Sequence, residues 1–336
     1  MFEINEETVR LINKTCRGKT HLKLTIGYLI DNNAVIKVFN ENGELEPSTK
    51  YHYEIGSITK TFTTSLLSKY VFENKVSLSD SIQVYVEQLQ GTGYYPTLLR
   101  LATHSSGYGA SLPLNNWQYL NLFLDLIKGS GDINKNNPLS MDLNKMKQLM
   151  EQHKLKVKDY PWKYSNFGIA LIGYVLGKVS GKGYWNTMND YLQHELGLNN
   201  TYLGTSANNL VGYDRKNNDC GNWQWNEDNL ISPAGAISST AEDLLQYAKI
   251  IINETQPYLP LSYKQHGAGN KKYDMGLGWW LLKNNPHVIL HGGGTGCFST
   301  FLVIDKEKKA AAVVLANYRL GKNADEKIGI SLLENL

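Results

Sequence analysis

Ser57 and Lys60 stand three residues apart in the run Tyr53-Glu54-Ile55-Gly56-Ser57-Ile58-Thr59-Lys60. On a helix that spacing brings an amine over a hydroxyl, because residues at i and i+3 share a face. A serine hydroxyl is a poor nucleophile until a neighbouring base takes its proton, and a lysine of lowered pKa can be that base. A serine at a helix start also feels the positive end of the helix dipole, which favours an oxyanion developing nearby. Taken alone the pair is weak, since Ser is a routine helix cap and Lys a routine helix residue.

Two further clusters carry the same kind of chemistry. In Tyr164-Ser165-Asn166 a phenol whose pKa is lowered by an ammonium can relay a proton, and the Asn166 amide can hold a bound carbonyl or the lysine. The plainer reading is a core tyrosine followed by an asparagine that caps the next helix. The third cluster is His291-Gly292-Gly293-Gly294-Thr295-Gly296. Glycines at a strand end let a substrate backbone approach and leave an edge N–H free to donate. Without a following helix or a Gly-Lys-Ser/Thr ending, the run does not read as a phosphate loop. Its plainer reading is a glycine turn with a surface histidine.

The elements that must position these groups are legible in outline. Residues 3–15 have helical spacing, and strands at 22–30 and 34–39 flank Asp31-Asn32-Asn33, a hairpin signal. A short strand over 51–55 breaks at Gly56, and 57–74 reads as a half-buried amphipathic helix. Helices are expected at 97–103, 116–128, 141–152, 167–180, 184–196 and 240–253, the last capped by Thr240. Strands return at 278–283, 287–292, 298–304 and 310–317, the last two joined by a charged turn, and a helix over 323–335 closes the chain. Strands at both ends and helices between them imply an α/β (α+β) fold: one antiparallel sheet flanked by terminal helices, with an all-helical domain inserted. The division expected is 1–75 with 255–336 as one discontinuous domain, and 76–254 as a mainly helical insertion. The site should lie where the two meet.

Composition excludes several function classes. The 336 residues are 42% hydrophobic and 19% charged with a formal net charge of +3; that balance is too weak and too scattered for nucleic-acid binding. No stretch reaches the roughly 18 apolar residues of a membrane span. The acidic opening Met1-Phe2-Glu3-Ile4-Asn5-Glu6-Glu7 lacks an apolar core, which points to no signal peptide and a cytoplasmic protein; an exported protein whose leader has been removed would look the same. Cys16, Cys220 and Cys297 are too far apart for a metal or redox motif, and three free thiols is the simplest expectation, with one bridge at most. His21, His52, His153, His194, His266 and His287 fit no metal spacing. Neither metal nor cofactor is expected, the partner is a small-molecule or peptide substrate, and the oligomeric state is left open.

Together, in this order, the three clusters resemble the serine β-lactamase and penicillin-binding protein superfamily, with its S-x-x-K, Y-x-N and K-T-G-like motifs. The resemblance is to the class C β-lactamase-like branch with its D-peptidases, D-aminopeptidases and esterases. Leu101-Ala102-Thr103-His104-Ser105-Ser106-Gly107 and Pro233-Ala234-Gly235-Ala236-Ile237-Ser238-Ser239-Thr240 look like further signatures. The resemblance implies a β-lactamase-like fold, Ser57 as acylated nucleophile, Lys60 as its activator and Tyr164 as general base and acid. It implies that Asn166 positions the substrate, that His291 and Gly293 form the third motif, and that the N–H groups of Ser57 and Gly294 form an oxyanion hole. His104 reads as a loop anchor. The third motif departs from the pattern: His291 is mostly neutral at pH 7 and Gly292 has no hydroxyl. That loss of anion recognition favours esters or D-amino-acid-containing peptides and amides as substrates. The alternatives are a β-lactamase or cell-wall D-peptidase, or a catalytically silent scaffold of the same fold. Aromatic residues in the loops at 108–160 and 203–232 (Trp117, Tyr119, Tyr202, Tyr213, Trp223, Trp225) are candidates for a pocket lining.

Overall fold

Asp31 and Asn32 adopt left-handed backbone angles, φ 47° and 66°, and fold Leu24–Ile30 (β1) back onto Asn33–Phe39 (β2) in the register Leu24↔Phe39 through Ile30↔Asn33. This is the turn chemistry that Asn and Asp allow at little cost. A computed structural model describes residues 4–47, 50–87, 89, 93–109, 112–128 and 137–335. Before the hairpin lies helix α1 (Glu6–Cys16), capped by the Asn5 side chain; after it come β3 (Leu45–Glu46), β4 (Tyr53–Glu54) and helix α2 (Thr59–Phe72).

The middle of the chain contains α3 (Leu98–Ala102), α4 (Asn116–Lys128), α5 (Leu143–Gln152), α6 (Asn166–Ser180) and α7 (Gly183–Asp190). Short strands follow: β5 (Tyr202–Leu203), β6 (Gly212–Tyr213), β7 (Asp219–Gly221) and β8 (Ile237–Ser239). Then come α8 (Ala241–Ile252), α9 (Leu259–Tyr263), β9 (Gly267–Ala268), β10 (Tyr273–Met275), β11 (Trp280–Leu282), β12 (Asn285–Gly294), β13 (Ser299–Asp305), β14 (Ala310–Ala316) and α10 (Ala324–Glu334).

One nine-stranded antiparallel sheet organises the molecule, in the order β3-β2-β1-β14-β13-β12-β11-β10-β9. Strands from both ends of the chain meet at β1–β14, with Leu24 opposite Ala316 and Ile30 opposite Ala310. β13 and β14 are buried at every position, as strands covered on both faces must be. One face packs on α1 and α10 through Ile12, Ile26, Val303, Ile328 and Leu332. The other faces the main core, where α2, α6 and α8 lie.

Local details differ from the sequence expectations. α2 is buried at every position from Thr59 to Ser68, not half-buried. Its hydroxyls tolerate this because they are hydrogen-bonded: Thr63 to Pro233 O at 2.8 Å, Thr64 to Leu277 O at 2.6 Å, and Ser65 with the Tyr247 hydroxyl at 2.7 Å. The helix expected over 184–196 ends at Asp190 and continues as a π turn, Tyr191–Glu195. The inserted segment also carries strands, since β8 joins β4 and β5 in a three-stranded sheet. α8, within the expected insertion, packs on β14 and β1 of the large sheet. The expectation of three free thiols fails: Cys220 and Cys297, 77 residues apart, form a disulfide, leaving Cys16 free and buried.

Candidate active site

From His52 to Lys60 every residue is buried except Ser57. The chain leaves β4, crosses Gly56 at φ +50° and makes one 3₁₀ turn, Gly56–Ile58, before α2 begins. Ser57 sits in that turn, and its hydroxyl makes no capping bond, which corrects the view of it as a helix cap. The hydroxyl is instead engaged by the groups expected to work on it. Lys60 Nζ donates to Ser57 Oγ at 2.7 Å, and the Tyr164 hydroxyl donates to the same oxygen at 2.8 Å. Lys60 Nζ also donates to the Ala234 carbonyl at 2.6 Å and lies 4.9 Å from the centre of the Tyr164 ring.

Burial sets the electrostatics of the cluster. Lys60 is fully buried and, among the described residues, has no carboxylate in ion-pair range. Burial therefore holds its pKa well below the ordinary lysine value, and the neutral amine is favoured. Through the 2.7 Å contact such an amine can accept the serine proton.

Tyr164 is placed by its neighbours. Ser165 caps α6, its hydroxyl accepting from Gly168 N at 3.0 Å. The Asn166 side chain is therefore not the cap. It starts α6 half-buried, and no described residue hydrogen-bonds its amide. His104, at φ +57°, accepts from Lys163 N through its carbonyl at 2.8 Å and from Ser165 N through Nδ1 at 3.3 Å. Its ring packs on Tyr164 at 4.8 Å between centroids. Burial, the largest cause, drives its pKa well below the usual histidine value. His104 is thus a neutral brace for the Tyr164 segment.

The third motif forms the free end of β12. Gly292, Gly293 and Gly294 are partly exposed while His291 is fully buried. Two glycines here are obligatory. A Cβ at Gly56 would lie 2.5 Å from Gly294 N, and one at Gly293 would lie 2.0 Å from Ile55 O. The Ser57 turn and β12 thus meet backbone to backbone, and Thr300 Oγ1 fastens the junction by donating to Ile55 O at 2.9 Å. His291 is held down to about 3 chiefly by burial, so it is neutral. Its Nδ1 lies 2.7 Å from Gly292 O. The ring packs 5.1 Å from Trp280, which in turn stands 6.4 Å from Tyr164.

Sequence reasoning missed several contributors. Ala234 was recognised only as part of a signature, yet its carbonyl holds Lys60. Trp280 walls the site from β11 without any motif to announce it. Glu54, buried just before Gly56, accepts from Trp223 N at 2.8 Å and anchors the 222–231 loop. Of the loop aromatics, Trp225 reaches the site region, where a Cβ on Gly235 would lie 3.5 Å from its ring. Tyr202 bonds Asn209, Tyr213 stacks on Tyr318, and Trp117 is exposed; the side chain of Tyr119 lies outside the described residues. Among the described residues no group of three His, Cys, Asp or Glu side chains is placed to hold a metal. No described helix is long and apolar enough to cross a membrane. Cavities of about 660 Å³ beside Lys69 and 420 Å³ beside Trp185 do not touch Ser57, so chemistry rather than cavity size locates the site.

Comparison with known proteins identifies the family and the fold. The family model described as Beta-lactamase matches residues 29–333. Protein flp of Staphylococcus aureus (strain MW2) is 23% identical over 284 residues, covering 81% of this chain and 53% of that protein. The chain therefore spans about half the length of this relative. A solved class C beta lactamase superposes with a TM-score of 0.78 at 20% identity, covering 98% of both chains. A solved beta-lactamase/D-alanine carboxypeptidase from Pseudomonas syringae gives 0.78 at 17% identity, again covering 98% of both. At these identities the structural likeness establishes the fold.

Proposed function

We propose that this chain, which belongs to the beta-lactamase family of serine hydrolases, hydrolyses esters or D-amino-acid-containing peptides and amides through a Ser57 acyl-enzyme. The observation that carries the reading is the convergence of Lys60 Nζ and the Tyr164 hydroxyl on one oxygen, at 2.7 and 2.8 Å.

In acylation the neutral Lys60 amine takes the Ser57 proton while Oγ attacks the substrate carbonyl carbon. The oxyanion is held by the N–H groups of Ser57 and Gly294, whose neighbourhood the Gly56–Gly294 contact supports. As the tetrahedral adduct collapses, Tyr164 gives its proton to the departing oxygen or nitrogen and recovers it from Lys60. Water then attacks the ester carbonyl and gives its proton to the same pair, and Ser57 leaves reprotonated. Asn166 has its amide available for the substrate carbonyl. Gly293 keeps β12 close to the Ser57 turn, and His291 contributes shape without charge.

The neutral His291 and the absence of a hydroxyl at Gly292 support esters and D-aminoacyl compounds over β-lactams. A second reading, a β-lactamase or penicillin-binding D-peptidase, draws on the solved neighbour whose title pairs those two activities.

Ser57→Ala tests the common core. With p-nitrophenyl esters the variant should lose activity by more than about 10³-fold, and the mass of an acyl adduct seen on the wild-type Ser57 peptide should disappear. Because Ser57 caps nothing, its stability should stay within about 1 kcal/mol of wild type. Activity retained within tenfold would remove Ser57 from the mechanism.

A further inference from the structure

One buried carboxyl touches both segments that would supply the oxyanion donors. Glu54 ends β4, three residues before Ser57. Its backbone pairs with Ser238, and Ile55 N beside it donates to Ile237 O at 2.9 Å, so the strand leading into the Ser57 turn is fixed. The Glu54 side chain accepts from Trp223 N through Oε1 at 2.8 Å. The Thr295 side chain also bears on it, and Thr295 directly follows Gly294, whose N–H is the second oxyanion donor. Glu54 Oε2 and Thr295 Oγ1 are both enclosed, and no described residue hydrogen-bonds either.

The hydroxyl can bond a carboxyl in either charge state, so the surroundings decide between them. Asn222, Trp223 and Thr295 are polar but uncharged, and among the described residues no charged or titratable side chain bears on the Glu54 carboxyl. Burial therefore dominates and pushes it up to about 7. His52, two residues earlier on the chain, is lowered by burial and feels the charges of Asp243, Glu242 and Lys50, not that of Glu54. Ionisation of Glu54 would leave an uncompensated negative charge in this enclosure. It would also set that charge beside the turn where the substrate carbonyl becomes an oxyanion, and like charges oppose one another.

We propose that Glu54 is a positioning residue of the oxyanion hole, that it works uncharged by joining the end of β4 to the turn carrying Gly294 and Thr295, and that its ionisation switches the hydrolase off in mildly alkaline solution. This rests on the Ser57 reading for the place of the oxyanion.

The test measures kcat/KM for p-nitrophenyl acetate at pH 5 and pH 8, corrected for spontaneous hydrolysis, in wild type, Glu54→Gln and Thr295→Val. Glu54→Gln keeps an acceptor for Trp223 N and a donor for Thr295 but cannot ionise. Dividing the wild-type value by the Glu54→Gln value cancels the titrations both proteins share, those of Lys60 and His52 included. With the carboxyl titrating near 7, about a tenth of wild-type molecules keep the proton at pH 8. That quotient should therefore fall about threefold to tenfold from pH 5 to pH 8. A merely structural Glu54 would change it equally at both pH values, and a fall smaller than about threefold overturns the proposal. Thr295→Val deletes the hydroxyl that favours the charged form, so its decline in activity should lie at higher pH than in wild type. A decline that stays in place overturns the proposal as well, and this arm stands even if Glu54→Gln does not fold. Ser57→Ala separates the two readings: a flat quotient beside an inactive Ser57→Ala fails the Glu54 role alone, whereas an active Ser57→Ala fails the nucleophile assignment.

Discussion

Glu54 is 2% exposed and lies two residues before the Gly56 junction. Its Oε1 accepts from Trp223 N at 2.8 Å, whereas Oε2 has no hydrogen-bond partner, the nearby Thr295 hydroxyl approaching without meeting bonding geometry. Burial raises the carboxyl from 4.5 to about 7, outweighing the lowering by its Thr295, Trp223 and Asn222 neighbours. A raised acid pKa means that the folded chain keeps a proton which the unfolded chain has released. The contribution to stability is therefore full below the unfolded value, falls as pH rises from 4.5 towards 7, and is flat above. The gap from 4.5 to about 7 converts to roughly 3 kcal/mol at 1.36 kcal/mol per pH unit. About 2.5 kcal/mol of it develops between pH 5 and pH 8. Glu54→Gln keeps an acceptor for Trp223 N and cannot ionise. Urea denaturation followed by tryptophan fluorescence at both pH values should show the variant gaining about 2.5 kcal/mol on wild type between pH 5 and pH 8. A difference between the two proteins that does not change with pH would refute the assignment of a buried, proton-holding carboxyl at this position.

Two other expectations follow from the same contacts. Lys60→Ala and Tyr164→Phe each remove one of the two partners of Ser57 Oγ, so each should lower kcat/KM severely and the double variant should be little worse than the poorer single one; effects that multiply would mean independent action. The Cys220–Cys297 bridge closes a span of 77 residues, and Cys220→Ser should cost about 2–4 kcal/mol in denaturant unfolding, with no loss if the bridge does not form in solution.

The sequence by itself determined what depends on near neighbours. A three-residue spacing on a helical turn placed Lys60 against Ser57, Asp31 and Asn32 marked the first hairpin, and Thr240 with its acidic neighbours announced α8, because each rests on local backbone geometry. The long periodic elements were legible for the same reason. α4 falls on 116–128 as expected, and β14 stops one residue short of the expected 317, since apolar periodicity over many residues averages out local noise. Strands β5 to β8 were invisible, being two or three residues long and too short to show alternation. Only the tertiary structure decided which distant groups meet. The pairing of Cys220 with Cys297, the Ala234 carbonyl on Lys60 and the burial that neutralises His291 and Lys60 all depend on segments far apart in the chain being packed together.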